Sequence, residues 1–293
     1  MVRLYLYRFK LVTVGSEHQQ SLFESFIDKP TLLKKLILLR PGAMVRKGIE
    51  WTMADSEVYA ESSIFFNFGR ITQKQKDRFD RDERSFYAMI DDDIDRVSCF
   101  YDGKFQVLAI ESRYEAPKPS TIANYISKVV AAIKDDEELM KKLVPEEKAL
   151  FLTTRPQIDS ITDPVHFIEY IKKAYKINLF EVSFSPENPY DFDELLQNPM
   201  QKFMKAADGE ESKAGVSSKT GLNKETIVQI SHAVAAHGDD ARARIFKSEN
   251  GIAETVRLKK KINEAYIEIT EESLKPKERV FQLIKEKYKQ IRG

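Results

Sequence analysis

The chain has 293 residues, 42% of them apolar and 32% charged, with a formal net charge of +1. This length holds one large domain or two ordinary ones, and the composition excludes a disordered chain. The charge is uneven: from Ala241 onward there are 14 Lys/Arg against 8 Asp/Glu, a surplus of six, which leaves −5 for residues 1–240.

The N-terminal run "RLYLYRFKLV" sets Leu4, Leu6 and Arg8 against Tyr5, Tyr7 and Phe9, the period-2 pattern of a strand. It lacks the continuous apolar core of a signal peptide, and "LILL", the longest aliphatic run, is far too short for a bilayer. A cytoplasmic protein without membrane association is the expectation. "PTLLKKLILL" predicts a helix with Pro30 in its first turn, and "VYAESSIFFNFGRIT" a strand. The acidic cluster Asp91, Asp92, Asp93 and Asp95 has cation-binding oxygens but not the spacing of a calcium loop, and is expected as a solvated turn.

In "RVSCFYDGKFQVLAIESRY" two β-rich runs flank Asp102-Gly103, which predicts a two-residue hairpin of type I′. Cys99, the single cysteine, has no disulfide partner and no zinc pattern around it, and reads as a buried strand thiol. The Pro-rich "EAPKPS" at 115–120 places a boundary, giving a strand-rich lobe over 1–117 and an α+β lobe over 118–293.

In the second lobe "PSTIANYISKVVAAIK" predicts a helix capped by Ser120 or Thr121. A short strand "ALFLTTRP", a helix opened by Asp163 and Pro164, a strand "INLFEVSFSP" and a helix broken at Pro199 follow. Residues 208–221 read as a polar loop. "NKETIVQISHAVAAHG" predicts a helix capped by Asn223 and stopped by Gly238. A three-strand meander, "ARARIF", "IAETVRL" and "EAYIEI", precedes a closing amphipathic helix striped by Val280, Leu283, Ile284, Tyr288 and Ile291. The mixture of helices and hairpins, without a βαβ rhythm, predicts an α+β fold with antiparallel sheets in two lobes.

No motif fixes a reaction, so no catalytic residue, metal site or cofactor is assigned. His232 and His237 lie five residues apart, about 140° around a helix, where a zinc-binding pair needs a spacing of four. A helix end and a polar turn account for His237, Asp239 and Asp240. Lys219-Thr220-Gly221 resembles the KTG element of serine β-lactamases, but no serine has a lysine three residues on. Asp102 and Glu111, with Arg113 on the face of Glu111, faintly echo a metal-dependent nuclease, although a surface ion pair explains them more simply.

The basic C-terminal set carries the main expectation. In a strand over 241–246, Arg242 and Arg244 project from one face, opposite Ala241, Ala243 and Ile245. Arg257 alternates in the next strand, and Lys247, Lys259, Lys260 and Lys261 occupy the turns, with Lys213 and Lys219 in the preceding loop. Such a surface binds phosphates without reading bases, although lysine-rich strand edges also serve to prevent aggregation.

The layout resembles the phage-exclusion Rex protein A family of lambdoid prophages. The resemblance rests on "CFYDGKFQVLAIESRY", "APKPSTIANYI", "FIEYIKKAYKINLFEVSFSP" and "ARIFKSENGIAETVRL". The chain is also similar in size and character to the DNA-binding subunit of Kiwa defence systems. The resemblance implies a two-lobed α+β homodimer that binds DNA with little sequence preference and helps to abort phage infection. The expected function is therefore sequence-nonspecific DNA binding in phage defence. A metal-dependent nuclease subunit stands beside it as an alternative. So does a protein-interaction subunit that docks a partner on the C-terminal apolar stripe.

Overall fold

The computed structural model describes residues 1–13, 29–39, 44–46, 49–60, 63–113, 117–143, 147, 154–184, 212–260 and 263–293. It shows an α+β fold with antiparallel sheets. The strands are β1 (Val2–Thr13), β2 (Met44–Arg46), β3 (Ile49–Val58), β4 (Ile64–Asp80), β5 (Ser85–Asp102), β6 (Val107–Glu111), β7 (Thr154–Ser160), β8 (Lys176–Phe184), β9 (Ser212–Ser217), β10 (Asp240–Phe246), β11 (Glu254–Arg257) and β12 (Tyr266–Ile269). The helices used below are α1 (Lys29–Leu39), α2 (Pro119–Asp135), α3 (Glu137–Lys141), α4 (Val165–Lys173), α5 (Lys224–His237) and α6 (Lys277–Arg292).

The large sheet has the order β12-β1-β6-β5-β4-β3-β2, with β7 also on β1. Leu4 and Tyr5 pair with both β6 and β12, and Tyr7 and Arg8 with both β6 and β7. A strand has two edges, so β12 and β7 follow one another along the edge opposite β6. The small sheet has the order β11-β10-β8-β9.

Strand alternation divides the apolar side chains of the large sheet between two cores. On one face Phe9, Leu11, Phe66, Phe68, Cys99 and Tyr101 pack with Leu33 and Leu36 of α1 and Ile122, Ile126 and Ile133 of α2. On the other, Leu4, Leu6, Phe100, Val107 and Ala109 share a core with the small sheet and with α4, α5 and α6. The inner face of the small sheet contributes Phe180, Val182, Ala241, Ala243, Ile245 and Val256.

Several local expectations hold. α1 starts beside Pro30, and the Asn223 side chain accepts a hydrogen bond from the Thr226 amide at the start of α5. Gly238 ends α5 in the left-handed region at φ 74°, with its amide on the Ala235 and Val234 carbonyls. A side chain there would also meet Asp159, because its Cβ would lie 3.1 Å from the Asp159 Cβ.

Other expectations are corrected. The lobe boundary near 117 does not divide the sheets, since β1 pairs with β7 and β12, both beyond it. "EAPKPS" leads into α2, where Pro119 takes a first-turn position that needs no amide donor, and Lys118 rather than Ser120 or Thr121 is the cap residue. "VYAESSIFFNFGRIT" contains the end of β3 and the start of β4, with the Tyr59 amide on the Ser63 carbonyl at 3.0 Å. Of the expected strand "ALFLTTRP", Thr154, Arg155 and Pro156 lie among the described residues and belong to β7. Residues Ser212–Ser217, expected in a loop, form β9 on β8. The meander loses its third strand, because β12 leaves the small sheet to pair with β1. The helix expected around Pro199 lies outside the described residues.

The Asp102-Gly103 hairpin is wider than a type I′ turn. Asp102 pairs with Val107, Gln106 takes φ 52°, and the Asp102 carboxylate accepts the Phe105 amide at 3.1 Å. That carboxylate closes the longer turn locally, and Phe105 then packs on Tyr288 of α6, their ring centroids 5.1 Å apart.

The acidic residues 91–95 are not a turn but part of β5. β4 and β5 pair continuously from Ile64↔Tyr101 to Asp80↔Ser85, and Arg70 holds Asp95 at 2.7 Å. Among the described residues β3 accompanies β4 only to Ile71, so the ribbon projects beyond the sheet. Phe79 and Phe86 face each other near its end with centroids 5.0 Å apart.

Candidate nucleic-acid interface

β10 alternates as its sequence requires: Ala241, Ala243 and Ile245 are buried, whereas Arg242 and Arg244 are exposed. The reason is local, because small apolar residues at every second position let the strand sit flat on the core beneath it. The partners of β10 follow from register. Arg242 lies opposite Arg257 on β11 and Glu181 on β8, and Arg244 lies opposite Thr255 and Leu179. Lys213 on β9 lies opposite Ser183, which pairs with Asp240. The outer face of the small sheet thus brings together Arg242, Arg244, Arg257 and Lys213, with Glu181 and Asp240 as the opposing charges.

Arg242 donates through Nε to a Glu181 carboxylate oxygen. That bond, aided by the charges of Arg242 and Lys213, holds the Glu181 carboxyl below the usual range against the opposing effect of its partial burial. The stabilisation from this pair is present above the ordinary carboxylate pKa and fades as pH falls through the depressed value. It is small, since the pair faces water. Glu181 offsets one arginine, while the Arg242↔Arg257 juxtaposition remains. Like charges directly across two strands disfavour the pairing, and an anion between them relieves the repulsion. Glu181→Gln is accordingly expected to tighten binding of a polyanion several-fold, measured by DNA affinity at fixed salt.

The other predicted contacts are less equivalent than their sequence positions imply. Lys247 pairs with Glu254 across the β10–β11 turn at 2.6 Å, which raises its pKa. The Lys259 amine reaches back 2.6 Å to the Gly238 carbonyl, and its amide donates to Asp240 at 2.9 Å. Lys259 therefore serves the C-terminal end of α5, a favourable place for a cation, instead of projecting into solvent. Lys260 is exposed, and Lys261 lies outside the described residues. Lys219 is exposed, in the turn beyond the opposite end of β9 from Lys213, so these two lysines do not converge on one point.

The remaining candidates have structural roles. His232 bonds through Nδ1 with the Ile291 carbonyl at 2.8 Å, tying α5 to the end of α6. His237 and Asp239 are buried where α5 ends against β1 and β7, so this polar turn faces the interior and not water. Cys99 is fully buried, and burial, with the nearby Glu111 charge, pushes its thiol well up. This disfavours the thiolate a nucleophile needs.

Asp102 and Glu111 do not meet. Glu111 accepts the Ser98 amide at 3.0 Å and pairs with Arg113 at 2.6 Å, while Asp102 faces Lys285 at 3.2 Å. Ser98 and Asp102 are four residues apart on one strand, about 13 Å, too far for two carboxylates to share one metal ion. No cluster of His, Cys, Asp and Glu suited to a metal exists among the described residues. The C-terminal stripe is also committed, since Val280, Ile284, Tyr288 and Ile291 are buried in the chain's own core together with Phe281.

No protein-family model matches the chain, and no curated protein matches it either. The outer face of the small sheet therefore has to be interpreted from its own chemistry. Among the described residues, no helix is long and apolar enough to cross a membrane.

Sequence reasoning missed Glu181. Its alternation in "INLFEVSF" was legible, but its place beside Arg242 depends on a pairing between strands some 60 residues apart. It also missed Arg8, a charged residue on the Leu4 and Leu6 face of β1 that is 1% exposed.

Proposed function

We propose that this protein binds the phosphate backbone of DNA through the outer face of the β11-β10-β8-β9 sheet, without reading base sequence. The observation that carries the reading is the exposed pair Arg242↔Arg257, with Arg244 two residues along β10. Arg242 and Arg257 leave the sheet from directly opposed positions on neighbouring strands, and Glu181 relieves only part of their repulsion. Arginine forks fit phosphate oxygens in pairs, and backbone contacts position a protein on nucleic acid without specifying sequence. Lys213 extends the face, and Lys260 lies on the connection that follows β11. The resemblance to Rex protein A extends the proposal to phage defence.

Changing Arg242, Arg244 and Arg257 together to alanine is expected to weaken binding at least tenfold, by a similar factor for DNA of unrelated sequences. Fluorescence anisotropy on two such DNAs measures this. Unchanged affinity in the triple variant would remove these residues from the interface.

A further inference from the structure

The basic face ends in a corner rich in exposed rings. Phe246, the last residue of β10, follows Arg244 on the same outward alternation and is only half-buried. Lys176 pairs with it in register, and the lysine amine lies 5.8 Å from the centroid of its ring. The next elements bring more apolar surface to the same end of the sheet. The Tyr175 amide donates to the Phe246 carbonyl at 2.8 Å, and the Tyr175 side chain is 54% exposed. Tyr170, near the end of α4, is 43% exposed and within electrostatic reach of Lys247. The β10–β11 turn presents Ile252, which is 93% exposed.

Exposed aromatics have little to bind on a duplex, whose bases are stacked on one another behind the phosphates. Unpaired bases have free faces, and surfaces that take single strands combine a cationic track with rings on which those bases stack. Here the track, Arg242 to Arg244, leads along one strand to Phe246 within about 13 Å, and the rings stand at its end. Cation and ring are also interleaved, through Lys176 on Phe246.

We infer that the preferred ligand is single-stranded DNA, its phosphates on Arg242, Arg244 and Arg257 and its bases stacked at the Tyr170–Tyr175–Phe246 corner. This rests on the phosphate-binding reading above and specifies the strand state of the ligand. Tyr170 and Tyr175 are exposed, so Tyr170→Leu with Tyr175→Leu removes the planar rings while keeping apolar bulk and the fold.

The experiment measures affinity of the full chain for a 20-nucleotide mixed-sequence single strand and for its duplex, at one salt concentration. Wild type is expected to bind the single strand more tightly. The Tyr170→Leu, Tyr175→Leu variant should lose about tenfold or more for the single strand, with duplex affinity unchanged. Equal or tighter duplex binding by wild type, or a variant that loses nothing on the single strand, overturns the inference and leaves the phosphate-binding reading standing. Phe246→Leu supplies a second test on the strand itself, with the same expected selective loss. Absence of binding to either DNA overturns both.

Discussion

Deleting residues 274–293 is expected to abolish the native fold. α6 inserts Val280, Phe281, Ile284, Tyr288 and Ile291 into the core between the large sheet and α5. Burying each such side chain contributes about 1.5–3 kcal/mol, so together they contribute on the order of 10 kcal/mol. That is comparable to the whole stability of a typical domain, about 5–15 kcal/mol. The helix also supplies the Ile291 carbonyl to His232 and Lys277 to Glu57, the latter at 2.7 Å. Circular dichroism and denaturant titration of the truncated chain should show no cooperative transition. A truncated chain that unfolds cooperatively with near-native stability would mean that this stripe docks elsewhere.

Arg8→Ala is expected to destabilise the fold by about 3–5 kcal/mol. Arg8 is 1% exposed, on the face of β1 that meets α6. One guanidinium nitrogen donates to the Phe105 carbonyl, another to the Tyr288 hydroxyl at 2.9 Å, and the group lies 5.4 Å from the Tyr288 ring centroid. The alanine variant leaves a cavity and two interior oxygens deprived of this donor. Arg8→Lys should recover only part of the loss, because a single ammonium lacks the planar fork that reaches both oxygens. Urea midpoints at unchanged slope measure both changes. An alanine variant within about 0.5 kcal/mol of wild type would show that the network contributes little.

These two sites show where reading the sequence succeeds and where it stops. Patterns set by adjacent residues were legible: the outward Arg242 and Arg244, the Asn223 cap, the Gly238 stop and the apolar stripe of α6. Each depends on chain geometry over a few residues. What covers a face depends on pairing between distant segments, which periodicity does not encode. β12 has the same alternation whether it continues a meander or crosses to β1. Asp91–Asp95 read as a turn because four carboxylates in five residues disfavour a strand, yet β4 pairs through them and supplies Arg70 opposite Asp95. Arg8 shares the alternation of Leu4 and Leu6, but the groups that receive its charge come from distant segments, the Tyr288 hydroxyl of α6 among them. The same limit applies to the basic face: three arginines were legible as outward, but not that Glu181 would share Arg242, nor that Lys259 would turn back to Gly238.

The salt dependence of DNA binding tests the central claim most directly. For wild type and the Arg242→Ala, Arg244→Ala, Arg257→Ala variant, log K is measured against log salt on two DNAs of unrelated sequence. Each neutralised phosphate contributes about 0.7 to the slope on single strands and about 0.9 on duplexes, so three lost contacts should make the variant slope shallower by about 2–3. The account predicts this reduction, equal on both sequences. Wild-type binding insensitive to salt, or identical slopes for the two proteins, would contradict it.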